Sequence, residues 1–268
     1  MNERTDKRGL IAVLLLMAAA LAVLCAIGYV NRSDSLQQQS AESTGGKQSY
    51  TTYYGTFEAI DSVLQQNEYM TAHPTELTEE ESRWYVTAGD GGDETGIMNE
   101  ISSLSGEICA GITGDYDKAY AMALWVGENI AYDYDSEENG SDRSVICLEN
   151  VLKKRRTTCG GFANLYAALC SSQEIYCLCM KGGSASEGYS RAELMEAPAN
   201  HCWNAVLLTD GWYYADCTWV SDLSYSEGEL VPATETRSFY ALMGFGEMSI
   251  EHRIDRCEYR RFLLEASK

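Results

Sequence analysis

Cys159 in TTCGGFANLYAAL, His201 in NHCWNAVLL and Asp216 in DGWYYADCTW stand in the order that thiol acyl transfer needs along a chain. An ordinary thiol is mostly protonated at neutral pH, so attack on a carbonyl requires a neighbouring imidazole to take its proton and a third group to fix the imidazole tautomer. Each role has one well-placed candidate: Cys159 as nucleophile, His201 as base, Asp216 as orienting acid. His73 follows no recognisable site pattern and His252 reads as part of a polar tail. His201 is preferred over both because it alone has strand context and an aspartate on the next strand.

The elements that must position these groups are visible around them. Thr157 and Thr158 are good helix N-caps, and Phe162, Leu165, Tyr166, Leu169 and Cys170 follow a helical spacing, which puts Cys159 in the first turn of a buried helix. Free N–H groups and the dipole at that end favour a thiolate and can hold an oxyanion. Gly160 and Gly161 are expected to leave room for a substrate backbone. Downstream, Cys202 to Leu208 and Trp212 to Trp219 are rich in strand formers, and Asp210-Gly211 is a hairpin signal. Side chains alternate along a strand, so His201 and Asp216 face one side while Cys202 and Cys217 face the other. With a plain Asp210-Gly211 turn, Asp216 falls opposite Ala205, roughly 13 Å from His201. A direct contact then needs a bulge or a shifted loop, and one is expected.

At these residues the chain resembles the transglutaminase-like superfamily, the papain-like thiol enzymes with a Cys, His, Asp order. The matching features are a cysteine before small residues at a helix start, the NHxWN histidine strand, and a strand ending in aspartate, any residue, Thr, Trp. DYDKAYAMALWVGENIAYDYD, residues 115 to 135, is similar to the helix and YDYD segment that precede the cysteine in bacterial members. The likeness runs from about Ser105 to Trp219 and more weakly to SFYALMGFGEMSIEHRID. It implies an α+β fold with a papain-like/transglutaminase-like core, the cysteine-bearing helix packed on an antiparallel sheet. It also places Tyr132, Asp133, Trp203 or Trp219 as candidates to line the cleft, although packing and capping explain them as well. The chain departs from the pattern at Cys202, where alanine is common, and at Cys217, where proline is usual.

Gly9 to Val30 is an almost uncharged apolar run, about 33 Å long as a helix, which matches a hydrocarbon core of roughly 30 Å. Arg4, Lys7 and Arg8 precede it and only Arg32 closely follows, so the N-terminus is expected in the cytoplasm and the remainder outside. A cleaved signal peptide, leaving a secreted protein, is the rival reading. The expected organisation is therefore a cytoplasmic stub at 1–8, a transmembrane signal anchor at 9–30, a flexible Gly/Ser/Gln-rich linker at 31–50, an N-terminal extension at 51–104 and the transglutaminase-like domain at 105–268. With 40 acidic against 20 basic residues, nucleic acid is excluded as a partner. The basic cluster Lys153, Lys154, Arg155, Arg156 reads as a solvated loop or helix end.

Ten cysteines is a high count, and all but Cys25 lie beyond the apolar run. An oxidising exterior would allow four bridges plus a free Cys159, with Cys202 and Cys217 the first pair to test; nine reduced thiols packed as small apolar residues is the other reading. Cys177, Cys179, Cys202 and His201 are zinc-type residues, but the CLC spacing is wrong for a zinc knuckle, and no metal or cofactor is expected. In the extension, Tyr53, Tyr54, Phe57, Ile60, Val63 and Leu64 suggest an amphipathic helix and Arg83 to Thr87 a strand, while DGGDE reads as a solvated turn rather than a calcium loop. In the helix over 115 to 130, Ala119, Met122, Trp125, Val126 and Ile130 form a core face.

The expected protein is thus an extracytoplasmic Cys-His-Asp thiol enzyme acting on amide bonds of a protein or peptide substrate, in which acyl transfer to an amine and hydrolysis are both open. A non-catalytic cysteine-rich surface module on the same scaffold is the alternative.

Overall fold

The computed structural model describes residues 48–53, 55–58, 60–89, 92–140, 143–185, 191–221, 223–232 and 237–262. The strands are β1 (Ser49–Thr52), β2 (Gly55–Glu58), β3 (Thr75–Glu76), β4 (Ala131–Asp133), β5 (Arg156–Thr157), β6 (Tyr176–Ser184), β7 (His201–Leu208), β8 (Gly211–Ala215), β9 (Leu223–Ser226), β10 (Glu229–Pro232), β11 (Met243–Gly244) and β12 (His252–Tyr259). The helices are α1 (Asp61–Ala72), α2 (Glu79–Arg83), α3 (Glu94–Ile108), α4 (Asp115–Asn129), α5 (Tyr134–Glu138), α6 (Leu148–Lys154), α7 (Cys159–Ser172), α8 (Arg191–Glu196), α9 (Cys217–Val220) and α10 (Phe245–Glu251). The apolar run at 9–30, expected as a membrane span, lies outside the described residues, as does the tether up to residue 47. Among the described residues no helix is long and apolar enough to cross a membrane.

The main sheet has the order β11-β8-β7-β6-β12-β3, antiparallel except for the β12–β3 pair. Against it lies α7. The spacing of Phe162, Leu165, Tyr166, Leu169 and Cys170 does produce a helix, but Ala163, Asn164, Ala167 and Ala168 are buried too, so α7 is enclosed on all sides rather than amphipathic. α4 packs beside it through Ala119, Met122 and Val126, with Ile130 just past its end, all fully buried. A smaller sheet, β10-β9-β4-β5, holds the entry to α7 at its edge.

Asn204 on β7 pins α7 to the sheet. Its side-chain amide, fully buried, donates to the carbonyls of Ala163 at 2.9 Å and Leu178 at 3.2 Å and lies against the Cys177 and Cys179 sulfurs. Cys177 and Cys179 therefore share one sheet face, as the alternation requires, and fill core space. Asn204→Ala should remove two buried hydrogen bonds and lower stability by about 2–3 kcal/mol, read as a fall in the urea midpoint at unchanged slope.

Two expectations in the extension are corrected. Tyr53 and Phe57 lie in a β1–β2 hairpin, and the helix starts only at Asp61. Arg83 to Thr87 is not a strand: Arg83 ends α2, and the carbonyls of Tyr85 and Val86 accept the Leu148 and Glu149 N–H groups at the start of α6, at 2.8 and 2.9 Å. Those carbonyls satisfy a helix N-terminus, so no ladder partner is needed. The extension also enters the main sheet through β3. The basic cluster is the end of α6, but Arg156 is not simply solvated: it pairs with Asp133 at 3.3 Å and lies over the Tyr225 ring at 3.5 Å.

All nine cysteines beyond Cys25 are free thiols. Cys202 and Cys217 are unbonded because β8 ends at Ala215 and Cys217 turns inward as the first residue of α9, away from strand alternation.

Candidate active site

β7 begins at His201 and pairs with β8 in a register that sets Leu208 against Gly211 and Asn204 against Ala215. The two-residue turn is Thr209-Asp210, not Asp210-Gly211. Gly211 is the first strand residue, with φ +140°, a backbone conformation that side chains rarely adopt. This moves Asp216 two places closer to His201 than the simple turn would, and it preserves the shared face because strand alternation has period two. No bulge is needed.

Asp216 sits just beyond β8 as the N-cap of α9, fully buried, with Oδ1 accepting from the Trp219 N–H at 3.1 Å. Its Oδ2 lies 2.6 Å from His201 Nε2 and 3.1 Å from His252 Nε2. An ionised carboxylate accepts only, so each neutral histidine carries its proton on Nε2, and His201 Nδ1 is left as the basic nitrogen. Trp203 and Trp219 flank the His201 ring at centroid distances of 6.0 and 5.7 Å, with interplanar angles of 18° and 26°. The ring is thus fixed in orientation as well as in tautomer.

The electrostatics follow from burial and charge. Burial disfavours the Asp216 carboxylate, but the two histidines outweigh it and hold the carboxyl far below the usual range. For His201, burial acts downward and the Asp216 charge and hydrogen bond act upward, with a net rise. For His252, burial dominates the Asp216 contribution, so its pKa is lowered and it stays neutral.

Cys159 is the first residue of α7, with Thr158 at the N-cap. First-turn N–H groups have no partner inside the helix and the dipole there favours an anion. The space beside the glycines does not go to a substrate, contrary to expectation: a Cβ on Gly161 would collide with Thr157, and one on Gly160 would press on Ile146 at 3.2 Å. The glycines serve close packing of the helix start. The Cys159 and Cys202 side chains interact where α7 starts against β7. The two titrate as a pair. The contact with Cys159, then His201, Arg260 and Lys181, draw Cys202 down to about 7 against burial, while contact with Cys202, burial and Asp216 hold Cys159 well up. Tyr132 stacks on Phe162 and faces the same place; burial, then the Cys159 and Glu137 charges, push its phenol far up. Asp133 instead caps α5 through the Ser136 N–H at 3.0 Å.

His252, read from the sequence as tail, is a fully buried member of this cluster at the start of β12. The weak likeness around SFYALMGFGEMSIEHRID was the only sequence signal for it. Asn67 of α1 clamps it, donating to the His252 carbonyl at 2.9 Å and accepting from the Ile254 N–H at 2.8 Å. His252 touches Asp216, not the thiol, so it acts by positioning. His252→Ala should lower kcat roughly 10- to 100-fold, and by leaving Asp216 wholly to His201 it should move the acid limb of the pH–rate profile to higher pH. A kcat loss with an unmoved limb would reduce His252 to packing.

His201, Asp216 and His252 are also the described residues whose metal-ligating atoms converge, all within 4.8 Å. Both Nε2 atoms already point at one carboxylate oxygen, so the hydrogen bonds account for the convergence. Cys177, Cys179 and Cys202 do not join this group.

Residues 102–217 match the family model described as the Transglutaminase-like superfamily. That stretch, a little under half of the chain, is similar to the superfamily's members. Curated proteins similar to it include the mouse (Mus musculus) Kyphoscoliosis peptidase, 26% identical over 127 residues, 47% of this chain and 19% of the relative. The human (Homo sapiens) Kyphoscoliosis peptidase is 29% identical over 109 residues, 41% of this chain and 16% of the relative. The chain thus spans less than a fifth of the length of these curated relatives. A crystal structure of a TGase aligns with 73% of this chain and 50% of its own, at 12% identity and a TM-score of 0.38. The transglutaminase-like match supports a cysteine enzyme in general, and the mixed helix and sheet architecture fits that fold.

Proposed function

We propose that this protein is a membrane-anchored, extracytoplasmic thiol enzyme that acts on amide bonds of a protein or peptide through an acyl-enzyme. The observation that carries the reading is the 2.6 Å His201 Nε2 to Asp216 Oδ2 contact, which commits one ring nitrogen to the acid and leaves Nδ1 as a base, next in sequence to Cys202, whose side chain interacts with that of Cys159. His201 takes the Cys159 proton and the thiolate attacks the carbonyl. First-turn N–H groups of α7 hold the oxyanion, and the imidazolium then protonates the leaving amine. An amine or water resolves the acyl-enzyme. Two relatives named peptidases favour water, and hence hydrolysis.

The placement outside the membrane rests on the apolar run at 9–30 and its basic N-terminal flank. Incubation of the full chain with casein and a fluorescent amine tests the chemistry: release of peptides without labelled casein is expected for the hydrolase, and labelled casein selects acyl transfer. Neither product, with Cys159 unlabelled by iodoacetamide at mildly acidic pH, would remove the thiol-enzyme reading. Protease protection of right-side-out vesicles tests the topology, and a domain digested only after lysis would overturn it.

A further inference from the structure

Cys202 is not needed for acyl transfer, yet its position is specific. Side chains two apart on a strand share a face, so Cys202 points the same way as Asn204, and Asn204 bonds the Ala163 carbonyl of α7 at 2.9 Å. Stepping back two residues on β7 covers about 6.6 Å, and stepping back four on α7, from Ala163 to Cys159, covers about 6 Å. The two steps end at facing positions of β7 and α7, where the two thiols interact. Among the nine described cysteines these two alone are not buried. His201, Lys181 and Arg260 supply positive charge around them.

We propose that Cys159 and Cys202 are a redox site in which a peroxide converts the two thiols into a reversible disulfide, Cys202 serving as the resolving thiol. In the first step the Cys159 thiolate attacks hydrogen peroxide: an S–O bond forms, the O–O bond breaks, and hydroxide leaves and takes up a proton. Sulfur is oxidised by two electrons to sulfenic acid and the peroxide is reduced to water. In the second, the Cys202 thiolate attacks that sulfur, forming S–S, breaking S–O and releasing hydroxide, which is protonated to a second water. Starting from Cys202 gives the same product. A small dithiol reverses it by exchange. The disulfide removes the nucleophile without consuming it and bars the irreversible step to sulfinic acid. Its effect on turnover rests on the proposed role of Cys159; the bond itself does not.

The full chain treated with hydrogen peroxide, blocked with N-ethylmaleimide and mapped by mass spectrometry after chymotryptic digestion should yield a Cys159–Cys202 linked peptide that dithiothreitol abolishes. Cys202→Ala and Cys202→Ser should instead carry sulfinic acid on Cys159 that dithiothreitol does not reverse. Sulfinic acid at Cys159 forming equally fast with and without Cys202, or Cys159 bridging another cysteine, would overturn the proposal. A linked peptide in a protein without amide turnover keeps the redox site and removes the enzyme reading; turnover without the linked peptide does the reverse.

Discussion

Cys159→Ala is expected to lower amide turnover by roughly 10⁴-fold or more with little change in stability. The side chain is partly buried at the first turn of α7, where an alanine fits, so the urea midpoint should move by no more than about 1 kcal/mol equivalent. His201→Ala should cost a similar factor, and the double variant little more than either single one, because the two groups act in one step. Additive losses would mean that thiol and imidazole do not work together. Steady-state peptide release, compared with urea unfolding of the same samples, separates chemistry from folding.

Asp216→Ala should damage both. Its carboxylate is fully buried and meets two imidazoles and a backbone N–H, so its removal should cost about 3–5 kcal/mol as well as most of the turnover. The pH dependence carries a sign. Because the folded Asp216 carboxyl is depressed, its contribution is complete above the ordinary carboxylate range near 4 and fades as pH falls through the lower folded value. The raised His201 favours the folded state below about 6.5, and that favour is lost as pH rises through its folded value. The lowered His252 acts oppositely, since between its folded value and about 6.5 the unfolded chain binds the proton and stability grows with pH. Without Asp216, burial alone governs both histidines. Below about pH 6.5 the variant should therefore lose stability on acidification through both histidines, where the parent loses it through His252 alone, and above 6.5 it should lack the parent's His201 gain on acidification. Urea midpoints between pH 4 and 8 would show this, and parallel curves would contradict the assigned charges.

The sequence made α7 and the strand pairing around His201 legible because their signals are local: a cap, a helical spacing, an alternation. The turn was not. Shifting it from Asp210-Gly211 to Thr209-Asp210 leaves every side chain on the same face, so alternation cannot distinguish the two, and only the pairing of Gly211 with Leu208 decides. His252 escaped for another reason. EHRIDR looks solvated, but Glu251 reaches the Tyr240 hydroxyl at 3.1 Å and Arg253 donates to the Ala197 carbonyl at 2.7 Å, so the charges that signal exposure are matched by partners far away in sequence. Asp216 itself is 36 residues from His252. The glycines after Cys159 misled because a missing side chain tells that something comes close, not what.

The clamp between Asn67 and β12 bears on how the gene can be cut. The recognised family segment stops at residue 217, yet β6 needs β12 as its neighbour and Asp216 needs an imidazole that arrives 36 residues later. A fragment excised at those limits would present a raw sheet edge and half of the acid's coordination, and it should aggregate on expression. A transplantable unit has to run from the β1 hairpin to the close of β12, so shuffling this site between proteins would require moving both flanks with it.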